Sequence, residues 1–191
     1  MVGIKVAELL YNRGIQTAIA DMAPYLFPLA AYEDVGREIE RRIAKKGIRC
    51  KWNAGITEIT EKDAAFSDGE RLLADIVCLC IGTRANVQLV ANTEVIEGQP
   101  VKINRAIVVD DHMRTSCPGI YAAGDCCEGT NLQSGETMII GLWANAGMQG
   151  ETAGKNMAGE EASYSGNIVH NITHFMGMDF IGLGDNRLDG E

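Results

Sequence analysis

Apolar Val6, Leu9 and Leu10 fall at helical spacing and Gly14 follows them as a stop, so the chain is read as opening directly in a helix, with no strand before it. A short β-type run from Ile15 to Ala20 then ends on Asp21 and gives way to a loop carrying Pro24 and Pro28. Val35, Ile39 and Ile43 recur every four residues while Arg37, Glu38, Glu40, Arg41 and Arg42 are left for water, which predicts an amphipathic helix stopped by Gly47. β-like pieces follow over 48–52, 55–59 and 64–66, with Ser67-Asp68-Gly69 as a turn. The run Ile76-Val77-Cys78-Leu79-Cys80-Ile81 has no polar alternation, the pattern of a parallel strand buried on both faces.

From Thr83 to Asn104 the texture is polar and irregular, as expected of a passage between domains. Ala106–Asp110 and Gly119–Ala123 read as two further strands, and Leu142 to Ala158 as a helix ended by Gly159. The tail from Tyr164 onward carries Ile168, Val169, Phe175, Phe180, Ile181 and Leu183, enough β-type material to begin another domain.

Composition narrows the function. A chain of 191 residues that is 46% hydrophobic is expected to fold around a core. Its net charge of −9 argues against a polyanionic partner, so nucleic acid is not expected. No apolar run approaches the roughly 18 residues of a spanning helix, so no membrane partner is expected and a cytoplasmic location is. The six cysteines, Cys50, Cys78, Cys80, Cys117, Cys126 and Cys127, contain no C-x-x-C pair and read as reduced thiols. Cys78 and Cys80 are expected on one side of a buried strand. The vicinal Cys126 and Cys127 are read as packing residues, since their disulfide would close a strained ring. His170 and His174 sit in β-prone sequence, two pleats apart, and no metal site is expected.

The chemistry-bearing signals are nucleotide signals. A strand, a glycine turn, a helix and a second strand ending in an acid bind an adenosine diphosphate moiety: glycines let the backbone approach the pyrophosphate, the helix start supplies N–H groups, and the acid takes the ribose hydroxyls. Gly3 opens a helix here, and Asp21 follows at close to the expected spacing of about 20 residues. A glycine before a helix and an acid after a strand are also ordinary features, so both readings stand on this segment alone. If the site is real, Asp21 followed by Met22-Ala23-Pro24-Tyr25 favours NAD over NADP, because a 2′-phosphate would meet a carboxylate and no arginine. A second, longer signal is Arg114-Thr115-Ser116-Cys117-Pro118-Gly119-Ile120-Tyr121-Ala122-Ala123-Gly124-Asp125, a strand running into small residues and then a carboxylate suited to a chain of sugar-type hydroxyls. The alternative is a turn in which Asp125 caps a helix.

Taken in order, these stretches resemble the pyridine nucleotide-disulfide oxidoreductase family, in particular the branch with NADH oxidases, CoA-disulfide reductases, ferredoxin and rubredoxin reductases and the nitrite reductase large subunit. The resemblance is carried by Gly3 with Val6-Ala7-Glu8-Leu9-Leu10, Asp21, Ala23-Pro24, Ile81-Gly82-Thr83-Arg84-Ala85-Asn86, the Thr115–Asp125 stretch, and Leu142-Trp143-x-x-Ala146-x-x-Gln149-Gly150. It implies an α/β protein: a Rossmann-like NAD-binding domain lacking its first strand, plus the C-terminal segment of an FAD-binding Rossmann-like domain. The implied domains are an incomplete NAD(H)-binding domain over 1–86, a connection over 87–104, the FAD-binding part over 105–163 and the start of a C-terminal interface domain over 164–191.

The resemblance further implies FAD and NAD as cofactors. Gly3, Asp21 and Gly82 would serve NADH, Gly124 and Asp125 the flavin's ribityl chain, and the helix opened by Leu142 and Trp143 the flavin's pyrimidine edge. No catalytic residue is assigned, because the family's electron-accepting cysteines lie in an N-terminal part outside this sequence. Two departures stand out. Lys5 occupies a place where many members carry a Glu beside the nicotinamide, and Ala85 replaces a Pro. The expected function is a segment of a flavoenzyme passing hydride from NADH to flavin and on to a disulfide, oxygen or a redox protein, with this chain alone expected to be inactive and its flavin site empty. The alternative is a non-catalytic nucleotide-binding or subunit-interaction module. A strand is expected between Ile15–Ala20 and Ile76–Ile81, and without it strand pairing with another copy, hence a homo-oligomer, is anticipated.

Overall fold

The computed structural model describes residues 1–91, 100–186 and 188. The chain divides into two units, Met1–Gly82 with His170–Glu191 and Thr83–Val169.

In the first unit α1 (Val2–Asn12) buries Ile4 and Ala7, one turn apart. The expected stripe of Val6, Leu9 and Leu10 is rotated, and Leu9 is 53% exposed. The helix ends where Gly14 takes φ 74. Its N–H donates to Tyr11 O and the N–H of Ile15 to Leu10 O, which serves carbonyls the helix leaves open. β1 (Ala18–Ala20) pairs in parallel with β2 (Arg49–Lys51), Ala18 opposite Arg49. A parallel pair needs a crossover, and α2 (Glu33–Ala44) supplies it. Ile39 and Ile43 of α2 are buried as their spacing predicts. Its polar face is laced by Arg37 with Glu33 and Glu40 and by Glu38 with Arg41 and Arg42, acids toward the start and bases toward the end. An antiparallel meander follows, β3 (Ile56–Ile59), β4 (Asp63–Phe66) and β5 (Arg71–Leu73), in that order.

The expected strand Ile76–Ile81 does not form: among the described residues it pairs with no strand. A run without polar alternation gains its stability from neighbours on both edges and both faces. Lacking them, Ile76, Leu79 and Ile81 remain 73%, 60% and 89% exposed. Cys78 and Cys80, expected to be buried, are exposed for the same reason.

In the second unit a short α3 (Gln88–Ala91) arises inside the stretch expected to be irregular. Residues 92–99 of the expected connection lie outside the described residues. The strands expected at 106–110 and 119–123 reduce to isolated bridges, Ile107 with Ile103 and Cys127, Val109 with Thr115, and Arg114 with Tyr121. The chain reverses too sharply between them for a ladder. The Asp110 carboxylate accepts the N–H groups of His112 and Arg114, both at 2.9 Å, and Met113 takes φ 62. β6 (Gly129–Thr130) and β7 (Thr137–Met138) form a small antiparallel pair, and α4 (Trp143–Met157) follows. Small clusters around Ile107, Ala122 and Cys127, and around Met113, Ala153 and Tyr164, form the core of this unit.

The tail forms a hairpin of β8 (His170–Phe175) and β9 (Met178–Leu183). It belongs to the first unit, where Phe175, Met176 and Phe180 join Ile4, Ala7, Leu26, Ala31, Ile39, Ile43 and Ile48 in one core. Phe27 seals it, its ring 5.8 Å from that of Phe175 and 5.2 Å from that of Phe180. The close of the tail, 187 and 189–191, lies outside the described residues. Among the described residues no helix is long and apolar enough to cross a membrane.

Candidate functional site

Candidate residues fall in both units. In the first, α1 rises about 16 Å over its eleven residues and packs against β1, which ends at Ala20 immediately before Asp21. The N–H of Asp21 donates to Lys51 O at 3.0 Å and its carbonyl accepts from Ala54 N at 3.1 Å, anchoring it at the end of the parallel pair. Its Oδ1 accepts the N–H of Ala23 at 2.9 Å, a local turn that orients an exposed carboxylate. Gly3, in the first turn of α1, is crowded by the end of the 76–81 run: a Cβ there would lie 3.3 Å from Cys80 Cβ. Gly82, two residues beyond Cys80, takes φ 96 with open space where a side chain would be. Glycine at position 3 therefore permits close packing, and glycine at position 82 a left-handed backbone.

Lys5 does not point a free ammonium into this region. Its Nζ pairs with Glu8 and donates to His174 O at 2.6 Å, and Glu8 accepts the N–H of Met176. The Lys5 hydrogen bond, followed by that of Met176, holds the Glu8 carboxyl below the usual glutamate range.

In the second unit, the turn at Gly124 (φ 83) lies on the N-terminal half of α4. Gly124 N donates to Gln149 Oε1 at 2.9 Å, and a Cβ on Gly124 would lie 3.6 Å from that of Ala146. Asp125 is exposed, and its Oδ2 lies 3.7 Å from where a Cβ on Gly141 would be. The second signal and the helix start, 16 residues apart in the sequence, thus meet at Asp125 and Gly141. Leu142 is the N-cap in extended conformation, φ −128 and ψ 137, and makes no side-chain capping hydrogen bond. Trp143, the first residue of the helix, is 96% exposed. The result is a carboxylate beside a helix start that no side chain caps, with glycines where a ligand would approach. Asp125 precedes this helix by too many residues to be its N-cap, and Leu142 holds that position.

The neighbouring thiols are packing groups. Cys127 is 1% exposed, and burial pushes its thiol up to about 12. Cys126 donates to Ala123 O at 3.3 Å, and both thiols are free. Among the described residues no cluster of three or more His, Cys, Asp or Glu is placed to hold a metal. An open groove between α2 and the β8–β9 hairpin is lined by Val35, Ile39, Phe175 and Phe180 and by none of the candidate residues.

Pattern reading gave Asn145 and Glu128 no role and marked Gln149 only within the stretch that carries the resemblance, although all three are buried polar groups that hold these loops. Asn145 and Gln149 are each 1% exposed and Glu128 is 3% exposed, its carboxylate taking Arg105 N at 3.1 Å. The available signal was two amides four apart in a helix otherwise rich in alanine and glycine.

Residues 1–150 match the family described as pyridine nucleotide-disulphide oxidoreductase. The chain is 32% identical over 167 residues to an NADH oxidase of Methanocaldococcus jannaschii, covering 85% of this chain and 36% of that protein. It is 30% identical over 190 residues to a nitrite reductase [NAD(P)H] of Bacillus subtilis, covering 97% of this chain and 22% of that protein. Among solved structures, an NAD-dependent persulfide reductase from A. fulgidus aligns with a TM-score of 0.81 at 27% identity, over 92% of this chain and 32% of that one. The chain therefore spans about a third or less of each of these proteins, and it shares the Rossmann-like α/β fold of the solved oxidoreductase structure. On the match across 1–150, with the glycine turns and acids placed as described, the chain belongs to the pyridine nucleotide-disulphide oxidoreductase family.

Proposed function

We propose that this chain forms the NAD(H)-binding region and part of the FAD-binding region of an oxidoreductase that passes hydride from NADH to flavin and electrons on to an acceptor. The observation that carries the reading is the meeting of Asp125 with the start of α4 at Gly141. The residues fit a flavin's polar side. An exposed carboxylate is offered to hydroxyls, a helix start without a side-chain cap offers N–H groups, and Gly124 and Gly141 keep the approach free of side chains. FAD, when bound, supplies the hydride-accepting chemistry. The protein's share is positional: Asp125 would hold the ribityl hydroxyls, and the helix opened by Leu142 and Trp143 would favour negative charge at its N-terminus.

In the first unit, Gly3 and the start of α1 would take the NADH pyrophosphate, Asp21 the adenosine ribose, and Gly82 would leave space for the nicotinamide nucleotide. On this reading residues 1–86 serve NADH, 105–163 serve FAD, and 164–191 open an interface region of a homo-oligomer. A soluble cytoplasmic enzyme fits such a role. We take the acceptor to be a disulfide, oxygen or a redox protein; the names of the relatives differ in the acceptor they print and single out none of these.

A non-catalytic interaction module is the second reading, favoured by the exposed Ile76, Leu79 and Ile81. Titration with FAD of the chain restored to full length, followed by tryptophan quenching and then by NADH bleaching of the flavin band, separates the two. Saturable quenching and bleaching are expected. A chain that binds NADH yet never takes up flavin supports the module.

A further inference from the structure

We propose that Gln149 is a positioning residue for Asp125, setting where that carboxylate stands relative to the start of α4; the proposal rests on the flavin reading above. A buried amide must be hydrogen-bonded to be tolerated, and where its bonds go shows what it holds. Gln149 Oε1 accepts from Gly124 N at 2.9 Å and faces Cys127 Sγ at 3.7 Å. Its Nε2 fills the space a side chain at Gly129 would need, since a Cβ there would lie 2.8 Å away. The amide is therefore clamped between the 124–127 turn and β6, and its plane cannot rotate without breaking contact with one of them.

One turn earlier on the same face of α4, Asn145 secures the other loop. Its Nδ2 donates to Ile140 O at 3.0 Å, while its Oδ1 accepts from Tyr164 Oη and from Asn167 Nδ2, the latter at 3.4 Å. Two amides four residues apart, about 6 Å along the axis, thus each hold one loop: Asn145 the 140–142 approach to the helix, Gln149 the Gly124–Asp125 turn. Backbone bonds between Ile107 and the Cys126 carbonyl and Glu128 N–H hold the far side of the turn, and the helix, through Gln149, holds the Gly124 side next to Asp125. Gln149 lies behind the turn and reaches a ligand only through it.

The test uses the chain restored to full length and two substitutions. Gln149→Met keeps the volume and removes the acceptor, whereas Gln149→Glu keeps an acceptor at the same reach. Hydrogen exchange at the Gly124 amide reports the clamp, exchange within α4 reports the fold, and FAD titration by tryptophan quenching reports the site. For Gln149→Met, exchange at Gly124 is expected to quicken about tenfold and the FAD dissociation constant to rise about tenfold, with α4 protection kept and both effects reversed in Gln149→Glu. Unchanged Gly124 exchange in Gln149→Met overturns the proposal, as does equal loss of FAD in both variants. If the parent chain takes up no FAD while Gly124 exchange still responds, the clamp stands and the flavin reading falls.

Discussion

Lys5 Nζ donates to the backbone oxygen of His174 at 2.6 Å, joining the first helix to the end of β8 in the C-terminal hairpin 169 positions away. Glu8 completes the joint by pairing with Lys5 and taking the N–H of Met176. Glu8→Ala is expected to loosen the hairpin by about 1–2 kcal/mol, allowing for the 44% exposure of the Lys5 side chain. Faster hydrogen exchange at Met176 is the measurement, and unchanged exchange would dismiss the joint.

The same carboxylate gives the hairpin a pH dependence. Its folded value is lowered from 4.5, so its contribution is complete above the ordinary value and is lost as pH falls through the depressed one. Protection of the Met176 amide should therefore decline from roughly pH 5 downward, and Glu8→Gln should flatten that decline.

Asp21 is expected to make NADH bind more tightly than NADPH, and Asp21→Ala to narrow the gap. Isothermal titration with both nucleotides decides it. Equal affinities in the parent chain would remove Asp21 from the site.

In a chain restored to full length, Asp125→Ala is expected to weaken FAD binding by about 1.5–3 kcal/mol through loss of a charge-assisted hydrogen bond. Trp143, 96% exposed at the adjacent helix start, is the natural reporter. An unaltered FAD titration would give Asp125 a different task.

The exposed run at 76–81 predicts self-association, because an unpaired apolar stretch invites strand pairing. Light scattering should show concentration-dependent oligomers, and Leu79→Ser with Ile81→Ser should reduce them. A monodisperse monomer at high concentration would contradict this.

Periodic elements were legible. Ile39 and Ile43 marked α2, and Gly14 and Gly159 marked the ends of α1 and α4, because helical spacing and a left-handed stop are local properties. The run at 76–81 was misread because its strand character depends on partners, not on its own residues. The stretches at 106–110 and 119–123 were misread because the Asp110 turn between them is set by side-chain hydrogen bonds that periodicity does not report. Of the candidate site, the pattern marked Asp125 and the helix after Leu142 separately. Their meeting at Gly141, and the amides that hold it, are long-range facts.

The first unit is built from two stretches of sequence, Met1–Gly82 and His170–Glu191, with the second unit strung between them. Seating the hairpin on the rest of the first unit therefore closes a loop of roughly 90 residues, an entropic cost of about 4 kcal/mol that the Phe27, Phe175 and Phe180 contacts and the Lys5–Glu8 joint must offset. That cost depends on whether the intervening residues are folded: once the second unit is compact, less chain is left free to constrain. A change that unfolds only the second unit is therefore expected to weaken hydrogen-exchange protection at Met176, although no residue of the first unit has been altered.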